Sequence, residues 1–91
     1  MRVEITFDPA KDVINQRKHR ISLSRAQGFD FAAATFKVDD REDYGEVRYR
    51  AVSFIDARLY TLTFTSEGEI VRAISLRKAT KYEEFRYNEA E

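Results

Sequence analysis

The sequence predicts an α+β fold: a small antiparallel sheet, mostly a meander, with two N-terminal helices and one C-terminal helix. Three observations lead to this prediction. Strand-length apolar segments in the second half of the chain are separated by short turns at Asp56-Ala57 and at residues 66–68. Helix-capping residues precede three other segments. The chain has 91 residues, 43% of them hydrophobic, so we expect one domain over residues 1–91 with a modest core.

The N-terminal third of the chain is expected to form a strand followed by two helices. Residues 3–7 alternate apolar and polar side chains, which is typical of a half-buried strand. Asp8-Pro9 places an N-cap before a proline, so a helix should begin there and end near His19. Ser22 is suited to cap a second helix that reaches about residue 33. The predicted inward stripe of the first helix consists of Ala10, Val13 and Ile14.

Four further strands are expected, over residues 36–39, 46–55, 58–65 and 69–79. The last of them has apolar residues on both faces, so it should lie near the centre of the sheet. Strict alternation along this strand places Arg72 on the face of Leu76 and Arg77 on the other face. Thr80 and Glu83 fit the capping box of a terminal helix. Its expected inward residues include Tyr82 and Phe85.

Composition excludes several kinds of function. The chain has no cysteine, which excludes disulfides, zinc-thiolate sites and thiol catalysis. The charges of the 16 basic and 16 acidic residues cancel, which argues weakly against non-specific electrostatic binding of nucleic acid. Two local basic groups, over residues 17–25 and 72–81, can still form an anion site if they meet in space. No segment resembles a signal peptide or a membrane span, so we expect a soluble, cytoplasmic protein.

The candidate chemistry centres on His19, the side chain whose ordinary pKa lies near neutrality. It closes a predicted helix, where the macrodipole favours the protonated form. Glu46 is a possible second titrating group, and Arg48 lies on the same strand face. Arg77 and Lys78 are candidate phosphate ligands, since arginine grips phosphate with two donors and lysine acts as a point charge. No cluster has the spacing of metal ligands.

Each of these residues also has a purely structural interpretation. A single histidine after a helix is more often a C-terminal cap than a catalyst. Glu46 and Arg48 are compatible with an ion pair on the surface of the sheet. Arg77 and Lys78 are equally compatible with the solvated end of a strand.

Several motifs, spread over nearly the whole chain, together resemble the BrnT toxin family of type II toxin–antitoxin systems. The resemblance implies a fold related to the RelE-like ribonuclease toxins, and an endoribonuclease that inhibits translation and growth by cutting RNA. Because no cluster has the spacing of metal ligands, we expect this cleavage to need no metal or other cofactor. One departure is Arg20, where the family usually has glycine after Lys-His. The motifs are Phe7-Asp8-Pro9-Ala10-Lys11, Asn15-x-x-Lys18-His19, Ser22, Tyr44-Gly45-Glu46-x-Arg48, Asp56-Ala57-Arg58, and Ile74-Ser75-x-Arg77-Lys78-Ala79 with Glu83.

The resemblance also favours the catalytic interpretation of the candidate residues and implies partners. These partners are an RNA substrate and a BrnA-type DNA-binding antitoxin. The antitoxin would form a hetero-oligomer with the chain, and the chain would associate with operator DNA only through the antitoxin. The alternative is a non-catalytic binding module that pairs with an antitoxin and takes part in operator regulation. The predicted catalytic residues are His19, Lys18, Glu46, Arg48 and Arg77. The predicted RNA-binding residues are Arg72, Lys78 and Ser75.

Overall fold

The computed structural model describes residues 3–90 and contains one five-stranded mixed sheet in the order β1-β5-β4-β3-β2. Its helices are α1 (Pro9–His19) and α2 (Lys81–Glu89), and two short 3-10 helices lie at Leu23–Gly28 and Phe31–Ala33. None of the helices in this described part is long and apolar enough to cross a membrane. The strands are β1 (Glu4–Phe7), β2 (Thr35–Val38), β3 (Tyr49–Ile55), β4 (Arg58–Glu67) and β5 (Ile70–Lys78).

The structure has the predicted α+β class and the predicted antiparallel meander of β3, β4 and β5, with β4 and β5 inside the sheet. The sheet is not wholly antiparallel, however. β1 pairs with β5 in parallel, with Glu4 opposite Ile70 and Phe7 opposite Ala73. The expectation of an antiparallel sheet is wrong at this edge. The sequence shows the alternation within residues 3–7, but alternation carries no information about strand direction.

The second predicted helix is also wrong in type, because two 3-10 helices replace it. The chain between them is tied to β3: the Asp30 amide donates to the Phe54 carbonyl at 3.0 Å, and Ser53 Oγ donates to the Asp30 carbonyl at 2.6 Å. These bonds hold Asp30 at φ −85° and ψ 89°, a non-helical conformation that a continuous α-helix does not allow.

A β-bulge in β5 reorganises which side chains share a face. Thr63 lies opposite Ser75, but the next residue, Phe64, lies opposite Ala73, so Ile74 is an extra residue. Alternation therefore shifts by one position after Ile74. Val71, Ala73 and Leu76 all face the main core, while Arg72, Ser75 and Arg77 share the opposite face. The prediction that Arg72 lies on the face of Leu76, away from Arg77, is wrong for this reason.

The inward face of α1 is polar, contrary to the predicted stripe. Val13 and Ile14 are 48% and 51% exposed, whereas Asn15 is 3% exposed. The Asn15 amide donates to the Leu76 and Ile21 carbonyls and accepts from the Leu76 amide, each at 2.9 Å. Because β1 pairs with β5 only as far as Ala73, Asn15 satisfies backbone groups that the missing strand neighbour would have bonded.

α2 has the predicted capping box between Thr80 and Glu83, but its predicted inward residues are wrong. Tyr82 and Phe85 are 66% and 58% exposed. Tyr87 is the buried aromatic instead: its ring lies 5.7 Å from that of Phe54, and its hydroxyl donates to the Ala33 carbonyl at 2.8 Å. Glu83 and Tyr87 are one turn apart and face the sheet, so positions 82 and 85 point away.

Candidate active site

His19 lies where α1 ends, half-buried beside the C-terminal end of β5. The helix closes at Arg20, whose φ of 61° is left-handed and whose amide donates to the Gln16 carbonyl at 2.9 Å. Glycine is the usual residue in this conformation. Arg20 adopts it nonetheless, so the turn after His19 keeps the geometry that a glycine would give.

A surface cavity of about 360 Å³ opens beside His19. Lys78 reaches it from the end of β5, opposite Tyr60 on β4. The cavity thus collects a titratable imidazole from α1 and cations from the turn after α1, the first 3-10 helix and β5. Its lining residues are His19, Arg20, Ile21, Ser22, Ser24, Arg25, Tyr60 and Lys78.

The pKa of His19 is lowered from its ordinary value of 6.5. Partial burial is the main cause, and the positive charges of Arg77 and Lys18 add to it. The helix macrodipole is expected to favour the protonated form, but burial and the two cations act in the opposite direction. The imidazole is mostly neutral at pH 7, which is the form that can accept a proton.

Arg77 is held beside this histidine by a two-pronged ion pair. Its guanidinium donates to the two carboxylate oxygens of Glu83 at 2.7 and 3.0 Å. The Thr61 hydroxyl and the Thr80 amide donate to the same carboxylate at 2.9 and 2.8 Å. Burial raises the pKa of Glu83, but these hydrogen bonds outweigh the effect of burial and bring the pKa to about 2. The bond from Arg77 contributes most to this lowering. Glu83 stays ionised and fixes the position of Arg77.

Glu46, Arg48 and Arg72 form a separate cluster. Glu46 accepts from Arg48 at 3.1 Å and from Arg72 at 2.8 Å. The Arg48 guanidinium lies 3.9 Å from the centre of the Tyr44 ring. Arg72 lies opposite Thr65 and Arg77 opposite Thr61, so the two arginines are about 13 Å apart along the sheet. For Glu46 and Arg48, the ion-pair interpretation describes the observed contacts.

The predicted site residues therefore fall into two groups. His19, Lys18, Arg77 and Lys78 surround the end of β5, whereas Glu46, Arg48 and Arg72 lie at its beginning. Ser75 lies between the groups, opposite Thr63. Within residues 3–90, no three His, Cys, Asp or Glu side chains come together as metal ligands.

The sequence assigns Glu83 to a capping box and to the motifs shared with the family, but does not show that it binds Arg77. Sequence reasoning also missed Thr61, which donates to the Glu83 carboxylate. The capping box is a readable signal for Glu83, but its contact with Arg77 depends on the register of β4 and β5 and on the path of the chain after Lys78. Neither is visible in the sequence.

A family model described as "Ribonuclease toxin, BrnT, of type II toxin-antitoxin system" matches residues 7–83, which include every predicted site residue. The chain belongs to the BrnT family. A 1.1 Å crystal structure of the Brucella abortus ribonuclease toxin BrnT has the same fold, with a TM-score of 0.63 and 22% identity over 87% of this chain and 99% of that chain. No curated protein matches the chain. As a BrnT-family member, the chain has a toxin's place in a type II system, which implies an antitoxin partner and an RNA target.

Proposed function

We propose that this BrnT-family chain is an endoribonuclease toxin that cleaves RNA by metal-independent acid–base catalysis and thereby inhibits translation and growth. The observation that carries the proposal is the position of His19. Its pKa is lowered, and it lies beside Arg77 and Lys18 at the end of β5. A neutral imidazole among cations is the combination that transfer of a proton next to a phosphate requires.

In the proposed reaction His19 takes the proton of the ribose 2′-hydroxyl. The 2′-oxygen attacks the adjacent phosphorus, and the bond from phosphorus to the 5′-oxygen breaks. The products are a 2′,3′-cyclic phosphate and a free 5′-hydroxyl, which receives a proton from the nearby acid. We assign that acid role to Lys18, the neighbour of His19 at the same helix end. Each step uses side chains alone.

Arg77 and Lys78 are proposed to stabilise the negative charge that grows on the phosphate. Arg77 is positioned by Glu83, while Lys78 lines the cavity beside His19. Ser75 and Arg72 lie farther from His19 along β5, and Arg48 shares the Glu46 carboxylate with Arg72. We propose that these three residues contact RNA outside the reacting bond. Glu46 then serves to orient Arg48 and Arg72 and takes no part in proton transfer.

The proposed partners follow from the family. The antitoxin is of the BrnA type, it blocks the toxin within a hetero-oligomer, and it alone contacts operator DNA. The RNA substrate places the activity in the cytoplasm. The relation to the RelE-like ribonucleases stays a prediction.

One observation favours the second candidate function, a non-catalytic module that pairs with an antitoxin. The carboxylates of Glu83 and Glu46 already occupy Arg77, Arg48 and Arg72, so these guanidinium groups are less available to an RNA phosphate. A module of this kind binds its partner but leaves RNA intact.

Purified protein with RNA in EDTA separates the two candidates. Cleavage that persists in EDTA and yields cyclic-phosphate ends is the expected result. Expression of the toxin without its antitoxin should also arrest growth. Intact RNA at every concentration of a folded sample, together with normal growth, contradicts the nuclease and leaves the binding module.

A further inference from the structure

A second cavity, of about 300 Å³, lies on the other side of the sheet from the main core, between α2 and strands β2 and β3. Its floor includes Lys37 from β2 and Arg50 from β3. Its wall is α2, which contributes Tyr82, Glu83 and Arg86. We call this cavity the α2 groove.

Two cations in the floor of the α2 groove face each other. Lys37 lies directly opposite Arg50 in the antiparallel pair of β2 and β3. Side chains in such pairs have Cβ atoms about 5 Å apart, and like charges there repel. In residues 3–90, neither side chain has a carboxylate within 4.0 Å. The nearby Asp39 accepts from Arg41 with both oxygens, and the charge of Arg50 contributes only a minor part of the lowering of the Asp39 pKa. An anion bound between Lys37 and Arg50 would remove this repulsion.

The wall of the α2 groove adds a third cation and an exposed aromatic ring. Tyr82 is 66% exposed, and the Arg86 guanidinium lies 5.9 Å from the centre of its ring and donates to its hydroxyl at 3.0 Å. Among residues 3–90, Glu83 is the one carboxylate in the lining, and it is occupied by Arg77. A basic groove with an exposed aromatic ring is the combination that binds single-stranded RNA, because phosphates take the cations and bases stack on the ring.

The α2 groove adjoins the proposed active site through Glu83. One carboxylate both fixes Arg77 and lines the groove. Arg77 and Arg50 lie on β5 and β3, two strands apart on the same face and offset by two residues along the strands, which corresponds to about 12 Å. A strand of RNA with its reacting phosphate near Arg77 can therefore reach the groove with an adjacent nucleotide.

We propose that the α2 groove binds a nucleotide of the RNA strand next to the cleaved bond, with its phosphate between Lys37 and Arg50 and its base stacked on Tyr82. This inference rests on the proposed RNA cleavage. It assigns Lys37, Arg50, Arg86 and Tyr82 a part in substrate binding, and none in the chemical step.

The test measures binding of a labelled, single-stranded oligoribonucleotide of mixed sequence by fluorescence anisotropy, in a His19→Ala background that leaves the RNA intact. Tyr82→Ala should weaken binding by roughly 5- to 150-fold, whereas Tyr82→Phe should keep it, because only the ring is needed for stacking. Lys37→Gln should reduce the slope of log affinity against log salt by about 0.7. The matched control is Lys11→Gln on the exposed side of α1, which should change neither quantity.

The outcomes separate this inference from the function on which it rests. If the Tyr82→Ala, Lys37→Gln and control variants bind RNA with equal affinity, the proposal that the α2 groove binds RNA is overturned. Cleavage of RNA by the wild type would still support the proposed nuclease function. Loss of antitoxin binding with unchanged RNA affinity also overturns the proposal for the groove, because the groove is then an antitoxin surface. Absence of both RNA binding and cleavage in the wild type overturns the inference and the proposed function together.

Discussion

The two ends of β5 carry similar charged residues but differ in how those charges are used. At the beginning of the strand, one carboxylate, Glu46, joins Arg48 and Arg72 in an ion-paired group that is partly open to solvent. At the other end, Arg77 has its own carboxylate, and Lys18 and Lys78 lie beside His19 without an ion pair among residues 3–90. The number of cations therefore does not distinguish the two ends of β5. The ends differ in the carboxylate partners of their cations and in the presence of a titratable histidine.

The largest expected difference between the two ends concerns catalysis. His19→Ala should slow RNA cleavage by roughly 10²- to 10⁴-fold, the usual contribution of a general base. Glu46→Gln should slow it by no more than about fivefold, because it weakens an exposed ion pair worth about 1 kcal/mol or less. The measurement is the rate of single-turnover cleavage in EDTA, with circular dichroism as the check on folding. Equal losses in the two variants would erase the proposed difference.

Stability should depend strongly on the residue that docks α1 onto the His19 end of β5. Asn15→Ala leaves the amide and carbonyl of Leu76 without partners in a buried position, which should lower the free energy of unfolding by about 3 kcal/mol. Asn88→Ala is the matched control, because Asn88 is exposed on α2, and it should change stability by less than about 0.5 kcal/mol. Urea unfolding monitored by circular dichroism measures both. A small effect of Asn15→Ala would mean that water replaces the amide.

The pairing of Glu83 with Arg77 should make stability depend on pH. The folded pKa of Glu83 is about 2 and its ordinary value is 4.5, so the stabilisation is complete above pH 4.5 and is lost as pH falls from 4.5 to 2. Glu83→Gln should cost about 2–3 kcal/mol at neutral pH, allowing for its partial exposure, and should flatten the acid slope.

The control for Glu83→Gln is Glu84→Gln, since the Glu84 side chain makes no hydrogen bond within residues 3–90. Urea unfolding from pH 7 to pH 2 compares the two variants. If both keep the acid slope of the wild type, Glu83 is not its source.

The smallest expected effect concerns the turn after His19. Arg20→Gly should raise the free energy of unfolding by about 0.5 kcal/mol, because glycine relieves the left-handed strain at φ 61° but adds entropy to the unfolded chain. Arg17→Gly, inside the same helix, should instead lower it by about 1 kcal/mol. Thermal unfolding distinguishes the two signs. Destabilisation by Arg20→Gly would show that the arginine side chain supports the turn.

Local signals in the sequence located most of the elements. Asp8 before Pro9, the alternation along residues 58–65 and the Thr80–Glu83 capping box all lie where the sequence predicts them. The family resemblance was confirmed by the match over residues 7–83. These features depend on neighbours within a few positions, so a single sequence contains them.

The remaining features depend on contacts between distant parts of the chain. The extra residue Ile74 shifts the faces of β5, and nothing local marks it as a bulge. The exposed side of α1 carries Val13 and Ile14 because Asn15 is needed against the unpaired edge of β5. Glu46 and His19 lie at opposite ends of β5 because of the register between β4 and β5. The sequence therefore does not show that the candidate residues form two separate groups.

The pH dependence of RNA cleavage tests the central claim, that His19 at the end of β5 acts as the base. Because His19 is the one histidine of the chain, its imidazole resonance can be titrated by NMR and compared directly with the rate profile. In EDTA, kcat/KM should rise with pH through a limb whose midpoint lies below 6.5, coincide with that titration, and disappear in His19→Ala. A limb that persists unchanged in His19→Ala, or a histidine that titrates at 6.5 or above, would contradict the account.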